Sequence, residues 1–415
     1  MKHFGIVSPP VSGHLNPFCA IGRELVRRGH RVTVFHMSDV GPKVRSEQLE
    51  FTAIGEADHP PGTLAATLGR IGSLSGLAAM RYTVQAAARS SEMFLRDLPD
   101  AVRPAGVNAL LVDQMEPAGS TVAERLGLPF ITVCNALALN RDDTIPPPFA
   151  DFAYSKGWFS RLRNRVGYTI GRQAVRPITE AVNRYRRKWG LKAYQESDDS
   201  FSRLAQLSQQ APAFDFPRSN LPNGFHYLGP FRDSHHDRSQ FPWGRLDGKP
   251  LVYASLGSMQ GSKLDLLRKF ALACTEVDLQ AVITHGGALS PEEASKIPGN
   301  HVVVSYAPQS AVIQRARLTL THAGLNTVLD SLTYGVPLVA VPLTYEQPAI
   351  ARRIEWVGAG ETLSLSSVSV SRLVGTLRKV LEHDDYKQSA DAVRESISQA
   401  GGTVRAVTVI EKLLC

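Results

Sequence analysis

Two histidines stand in turns where a chain ordinarily offers only backbone. His14 lies in SPPVSGHLNP, between the apolar run HFGIV and the helical pattern HLNPFCAIGRELVRRG. A strand, a glycine-bearing turn and a helix at the head of a chain usually cradle a phosphate on backbone N–H groups. A histidine there brings a side chain whose proton affinity sits near neutral pH, the range that a general base needs. Asp113 ends the apolar run VNALLVD and is expected on the same sheet edge, where its carboxylate would orient the imidazole and stabilise the charged ring. Glu116, three residues on, is the weaker carboxylate for that task. The competing reading is structural: His14 caps the helix that it opens, and Asp113 caps the helix starting near Pro117.

The second histidine, His322, opens the turn HAGLN between the strand-like RLTLT and the helical NTVLDSLTYG. Backbone N–H groups and the positive end of that helix make a seat for a diphosphate. Gly324 lets the backbone approach an oxygen, while His322, Asn326 and Thr327 can donate to non-bridging oxygens in place of a metal. Asp330 follows Asn326 by one helical turn and shares its face, where it can accept from ribose hydroxyls. A further phosphate contact is expected at SLGSMQG, where Gly257 and Ser258 turn from strand to helix. No Asp-x-Asp triplet and no His/Cys cluster at zinc spacing occurs, so no metal and no cofactor is expected.

These turns need strands behind them. Strand-like and helix-like runs alternate along the whole chain, which implies an α/β fold with parallel sheets covered by helices on both faces. HFGIV, RVTVFH, VNALLVD and PFITVC are the expected strands of the first half. LVYASL, LQAVIT, HVVVSY, RLTLT and VPLVAVPL are those of the second. The stretch 232–250 is polar and carries Pro and Gly without apolar periodicity, so it reads as a linker. The expected division is a first domain at 1–231, a linker at 232–249, a second domain at 250–397, and a last helix at 398–415 that folds back toward the first domain. Two doubly wound domains leave a cleft at the carboxyl ends of their strands, where ligands sit. With 415 residues, at roughly 150 per domain, two domains can each bury a core.

Composition is that of a globular protein, 43% hydrophobic and 20% charged. Cys19, Cys134, Cys274 and Cys415 are widely spaced and read as the reduced thiols of a cytoplasmic protein. The apolar run that starts at Leu126 contains Pro129 and is shorter than the ~18 residues of a membrane span.

The longest motif, YAPQSAVIQRARLTLTHAGLNTVLDSLTYGVPLVAVPLTYEQ at 306–347, resembles the donor-binding signature of UDP-sugar-dependent glycosyltransferases. Pro308, Gln309, His322, Gly324, Asn326, Gly335, Val336, Pro337, Pro342 and Gln347 carry the match. The resemblance implies a GT-B fold, two Rossmann-like domains facing across a cleft. It also implies an inverting, metal-independent transfer with UDP-glucose as co-substrate. It places Tyr306 on the uracil ring and Glu346 and Gln347 on the sugar hydroxyls, with Gln347 hinting at glucose. Two positions depart from the family: Tyr306 stands for Trp, with less ring area for stacking, and Asp330 for Glu, with a shorter reach. The family has a histidine and an aspartate at the positions of His14 and Asp113.

Outside the motif, VDQMEPAGSTVAERLGLPFI, LAQLSQQAPAFDFPRSNLPNGFHYLGP, SLGSMQG and AGGTVRAVTVIE are similar to the carotenoid-modifying branch of that family, the bacterial zeaxanthin glucosyltransferases. That similarity implies an apolar, hydroxylated acceptor. It is thinnest at 52–97 and 142–196, the segments expected to form the acceptor pocket. Three other readings stand beside it: a permissive transferase for flavonoids, macrolides or sterols, a nucleotide-sugar epimerase of the same architecture, and a non-catalytic nucleotide-sugar-binding scaffold.

The net charge of +8 is concentrated. Residues 156–192 hold eleven Lys or Arg against Glu180 alone, so this segment carries +10 and the rest −2. Trp158, Leu162, Val166 and Ile170 recur every four residues, as do Ile178 and Val182, and Gly171 and Pro177 are expected to break the stretch into two helices. A basic face with interleaved aromatics suits an anionic membrane surface and a peripheral seat on its inner face. The alternative is an ordinary helix with a buried stripe and a solvated basic side. No nucleic-acid recognition module is present, and none is expected as a partner.

Overall fold

The computed structural model describes residues 1–74, 76–233 and 240–415, with the backbone but not the side chains of Ser258 and Met259. HFGIV forms β1 (His3–Val7), buried along all its length. A continuous apolar run of this kind is what a strand covered on both faces requires. β2 (Arg31–His36), β3 (Glu50–Ala53), β4 (Ala109–Asp113), β5 (Phe130–Cys134), β6 (Gln206–Ser208) and β7 (Phe225–Tyr227) complete one parallel sheet in the order β3-β2-β1-β4-β5-β6-β7. The second parallel sheet has the order β10-β9-β8-β11-β12-β13. Its strands are β8 (Leu251–Ser255), β9 (Gln280–Thr284), β10 (Val302–Val304), β11 (Ala316–Thr321), β12 (Leu338–Ala340) and β13 (Gly360–Thr362). The two parallel sheets expected from the alternating pattern are therefore present. β3, β6, β7 and β13 were not foreseen, because each is three or four residues long and lacks an apolar run.

Strand order in each sheet reverses once, between β1 and β4 in the first and between β8 and β11 in the second. At such a point the connections leave in opposite directions and open a crevice beyond the carboxyl ends. Val7 pairs with Val112, and Ser255 with Thr321. The turn with His14 and the end of β4 with Asp113 thus share one crevice, while Gly257 and His322 share the other.

The basic segment folds as the helices Trp158–Ala174 and Arg176–Lys188. The break falls at Val175 ahead of Pro177, which takes a first-turn position where its missing N–H costs nothing. Gly171 does not break the chain as expected; it lies inside the first helix with the Phe149 ring against it, leaving no room for a Cβ. The stripe also divides. Val182 is fully buried in the first core, whereas Trp158, Leu162, Val166 and Ile170 face solvent. No helix among the described residues is long and apolar enough to cross a membrane.

Contacts between the halves include charges. Arg353, on the helix Gln347–Trp356, is fully buried and pairs with Asp215 of the first half at 2.8 Å. Arg218 holds the other Asp215 oxygen at 2.7 Å, and the two guanidinium groups keep that carboxyl far below the usual carboxylate range against the opposing effect of burial. The final helix, Gly402–Leu414, lies on the helix Ser12–Arg27 and sends Ala406, Val407 and Ile410 into the first core. Of the expected linker, residues 234–239 lie outside the described residues.

Candidate active site

His14 sits in the first turn of the helix Ser12–Arg27, whose cap is Val11 without a side-chain bond. It is therefore not spent on capping. Its Nδ1 lies 2.8 Å from Asp113 Oδ2, although the residues are 99 apart in sequence. A carboxylate only accepts, so Nδ1 carries the proton and Nε2 is left as the basic nitrogen. Asp113 Oδ1 accepts from the N–H of Met115, and Asn135 Nδ2 donates to Oδ2 at 2.9 Å. Asp113 does not cap the helix Pro117–Leu126, whose cap position is Glu116. Burial alone would lower the His14 pKa; the Asp113 charge, its hydrogen bond and the charge of Glu346 outweigh it and hold the ring above the ordinary 6.5.

Glu116 is buried, with Ser91 donating to it, and burial raises its pKa to about 8. It is thus a neutral acid at pH 7 rather than a second charge beside His14.

The HAGLN turn places His322 between two glycines. A Cβ on Gly257 would come within 2.8 Å of the ring, and one on Gly324 within 2.6 Å. Both positions accept nothing larger, which ties the two turns to one close approach. Gly257 has φ +72°, and Ala323, inside HAGLN, has φ +64°, a left-handed conformation that a side chain resists. Burial lowers the His322 pKa to about 4, so the ring is neutral. Gly324 caps the helix Leu325–Thr333, with Asn326 and buried Thr327 in its first turn. Ser258 belongs to the helix Gly257–Gln260, but its side chain is outside the described residues.

Asn326 reaches across to the first half: Nδ2 donates to the Gly13 carbonyl at 2.9 Å, and Oδ1 accepts from Gln209 and Arg232 at 3.1 Å each. Asp330 is buried and accepts from Arg232 at 2.6 Å and from Gln309 Nε2. Gln309 is held in turn by Tyr253, whose hydroxyl donates at 2.8 Å. Pro308 caps the short helix Gln309–Ile313. Tyr306 is exposed, with its hydroxyl on the Gly286 carbonyl and its ring edge 3.7 Å from where a Gly287 Cβ would lie.

Glu346 accepts from the N–H of Leu137 at 3.1 Å, and burial raises its pKa above the carboxylate norm. Its charge raises the His14 pKa, so the turn that carries Glu346 and the imidazole share one electrostatic site. Gln347 turns its side-chain oxygen inward, accepting from Leu343 and Thr344 at 2.9 Å each. Only its amide N–H groups remain for a ligand. Tyr345, just before, is again left-handed at φ +56°.

Asn135, Gln209 and Arg232 were not foreseen. Asn135 follows β5 at the same edge as Asp113, so its place could have been read from strand adjacency. Gln209 follows β6, too short to show a pattern, and Arg232 lies in a stretch read as linker.

The description "UDP-glucoronosyl and UDP-glucosyl transferase" is that of the family model matching residues 191–396. The chain is 36% identical over its whole length to the zeaxanthin glucosyltransferase of Pantoea ananas, covering 96% of that protein. It is 35% identical to that of Pseudescherichia vulneris, covering all of this chain and 98% of the relative. The solved glycotransferase of kitacinnamycin superposes with a TM-score of 0.78 at 21% identity, covering 100% of this chain and 99% of its own, a likeness of fold. Two parallel sheets, a family-model match that spans the second and full-length relatives above 30% identity agree: the chain belongs to the UDP-glycosyltransferase family of GT-B enzymes.

Proposed function

We propose that this glycosyltransferase moves glucose from UDP-glucose to a hydroxyl of an apolar acceptor, a carotenoid such as zeaxanthin, with inversion at the anomeric carbon and without a metal. The observation that carries the reading is the contact of the two turns, Asn326 on the Gly13 carbonyl beside the His14–Asp113 pair. The names of the two full-length relatives support the acceptor class.

In this mechanism Nε2 of His14 takes the proton of the acceptor hydroxyl as its oxygen attacks the anomeric carbon. The bond from that carbon to the β-phosphate oxygen breaks, and UDP leaves with the electron pair. The helix Leu325–Thr333 presents its N–H groups to the leaving diphosphate, aided by Asn326 and Thr327, while the neutral His322 ring packs between Gly257 and Gly324. The imidazolium that forms is stabilised by Asp113, itself oriented by Asn135. Asp330, aimed by Arg232 and Gln309, accepts from the ribose, while Glu346 and the Gln347 amide read the sugar. Tyr306 stacks on uracil, and Gly257 and Ser258 complete the phosphate side. The buried thiols Cys19, Cys134 and Cys274 fit a reducing, cytoplasmic setting.

The test is turnover of UDP-glucose with separate acceptors, followed by NMR of the product. A β-linked glucoside of a xanthophyll is expected from the α-linked donor. Good turnover of a soluble phenol with none of any xanthophyll replaces the carotenoid reading with a permissive transferase. Conversion of UDP-glucose without an acceptor replaces transfer with epimerisation, and an α-linked product overturns inversion.

A further inference from the structure

The helix Trp158–Ala174 is packed the wrong way round for a globular surface. Its inward face is small and polar: Ser160, Asn164 and Gly167 are buried. Gly167 meets Pro147, and Gly171 meets Phe149, in the loop between β5 and this helix. Asn164 donates to the carbonyl of Asp143 in that loop at 3.1 Å. The apolar residues are on the outside, with Trp158 67% exposed, Phe159 69%, Leu162 52%, Val166 53% and Ile170 62%. An apolar stripe of this length on one exposed helix marks a contact surface.

The charge around the stripe says what covers it. The helix has no Asp or Glu. Exposed Arg161, Arg165 and Arg172 stand between the apolar residues, with exposed Lys156 just ahead. Arg165 and Arg172 are paired with Asp143 and Glu196, whereas Lys156 and Arg161 have no ion-pair partner among the described residues. Apolar side chains alternating with cations, with aromatic rings at one end, match the boundary between acyl chains and anionic headgroups. A soluble acidic partner would answer the cations but not the stripe; an identical helix would answer the stripe but repel the cations.

We propose that the helix Trp158–Ala174 lies in the surface of an anionic lipid bilayer, inserting Trp158, Phe159, Leu162, Val166 and Ile170 between headgroups. The loop beneath it begins at Asn135 and Leu137, which bond Asp113 and Glu346, so the same connection carries site residues at one end and this helix at the other. The surface is read from the helix itself; its use, collecting a lipid-soluble acceptor, rests on the function proposed above.

The full chain is mixed with vesicles of phosphatidylglycerol and phosphatidylcholine in equal parts, or of phosphatidylcholine alone, and sedimented. Binding to the anionic vesicles is expected, with a blue shift of tryptophan emission and loss in high salt. The triple variant Leu162→Ser, Val166→Ser, Ile170→Ser, all solvent-facing, is expected to bind roughly tenfold less, while keeping its unfolding midpoint and its affinity for UDP. Equal binding of variant and wild type, equal binding to neutral vesicles, or no binding by wild type overturns the proposal. Self-association abolished by the same variant, without vesicle binding, assigns the stripe to a second copy and overturns it too. Failure of sugar transfer with every acceptor would overturn the proposed function and leave the vesicle result to stand or fall alone.

Discussion

The amide of Asn326 donates to the carbonyl of Gly13 at 2.9 Å, joining the turn that begins with His322 to the turn that holds His14. The oxygen of the same side chain takes Arg232 and Gln209. One residue thereby ties the second sheet's crevice to the first. Removing it takes the side-chain donor from the Gly13 carbonyl and one acceptor from each of Gln209 and Arg232, which keep their other bonds. Asn326→Ala is expected to raise the KM for the nucleotide sugar by roughly tenfold, with a smaller loss in kcat; initial rates against donor concentration check this.

His14→Ala should reduce kcat by about 100-fold or more, the size of a lost general base. UDP affinity, measured by calorimetry, should change little, since the ring sits on the first half and the turn proposed to seat the diphosphate on the second. A large loss of UDP affinity would contradict that division of labour.

The rate should rise with pH through the His14 pKa, because the base works only when neutral. That pKa is held above 6.5 by Asp113 and Glu346 against burial, so the acid limb of the profile belongs above 6.5. In Asp113→Asn the negative charge that favours the imidazolium is gone. The limb is expected to move to lower pH, while the plateau falls because the transition-state cation loses its partner. A limb that stays in place would mean another group titrates.

Gln347→Glu retains the oxygen that accepts from Leu343 and Thr344 and removes the amide N–H groups. Discrimination between UDP-glucose and UDP-galactose should weaken with the loop intact. Unchanged donor preference would count against a sugar-reading role.

Asp215 is the shared counter-ion of two guanidinium groups, one of them, Arg353, fully buried. Asp215→Ala leaves that charge without a counter-ion and should cost about 3–5 kcal/mol of stability. Urea unfolding followed by tryptophan emission measures it, and a cost below about 1 kcal/mol would mean that water reaches Arg353.

Much of the architecture could be read from the chain because its central strands are covered on both faces. Burial then forces unbroken apolar runs such as HFGIV, ALLVD and LVYAS, and the turns behind them inherit their place. Edge strands such as GET have no such constraint and left no trace. His14 and HAGLN stand out as candidates for a related reason: a side chain with acid-base chemistry in a turn departs from what backbone geometry alone requires.

Sequence by itself determined which residues could act and which runs would be strands, since both follow from side-chain type and local period. It did not determine every meeting. The approach of His14 to Asp113 follows from two apolar strands that share a sheet edge, whereas that of Arg232 to Asp330 depends on a segment without pattern. Nor did it determine which way the stripe on Trp158–Ala174 faces. Periodicity shows that a helix has two sides; the side that packs is chosen by the surface waiting for it, here Pro147 and Phe149, which admit glycine and nothing larger.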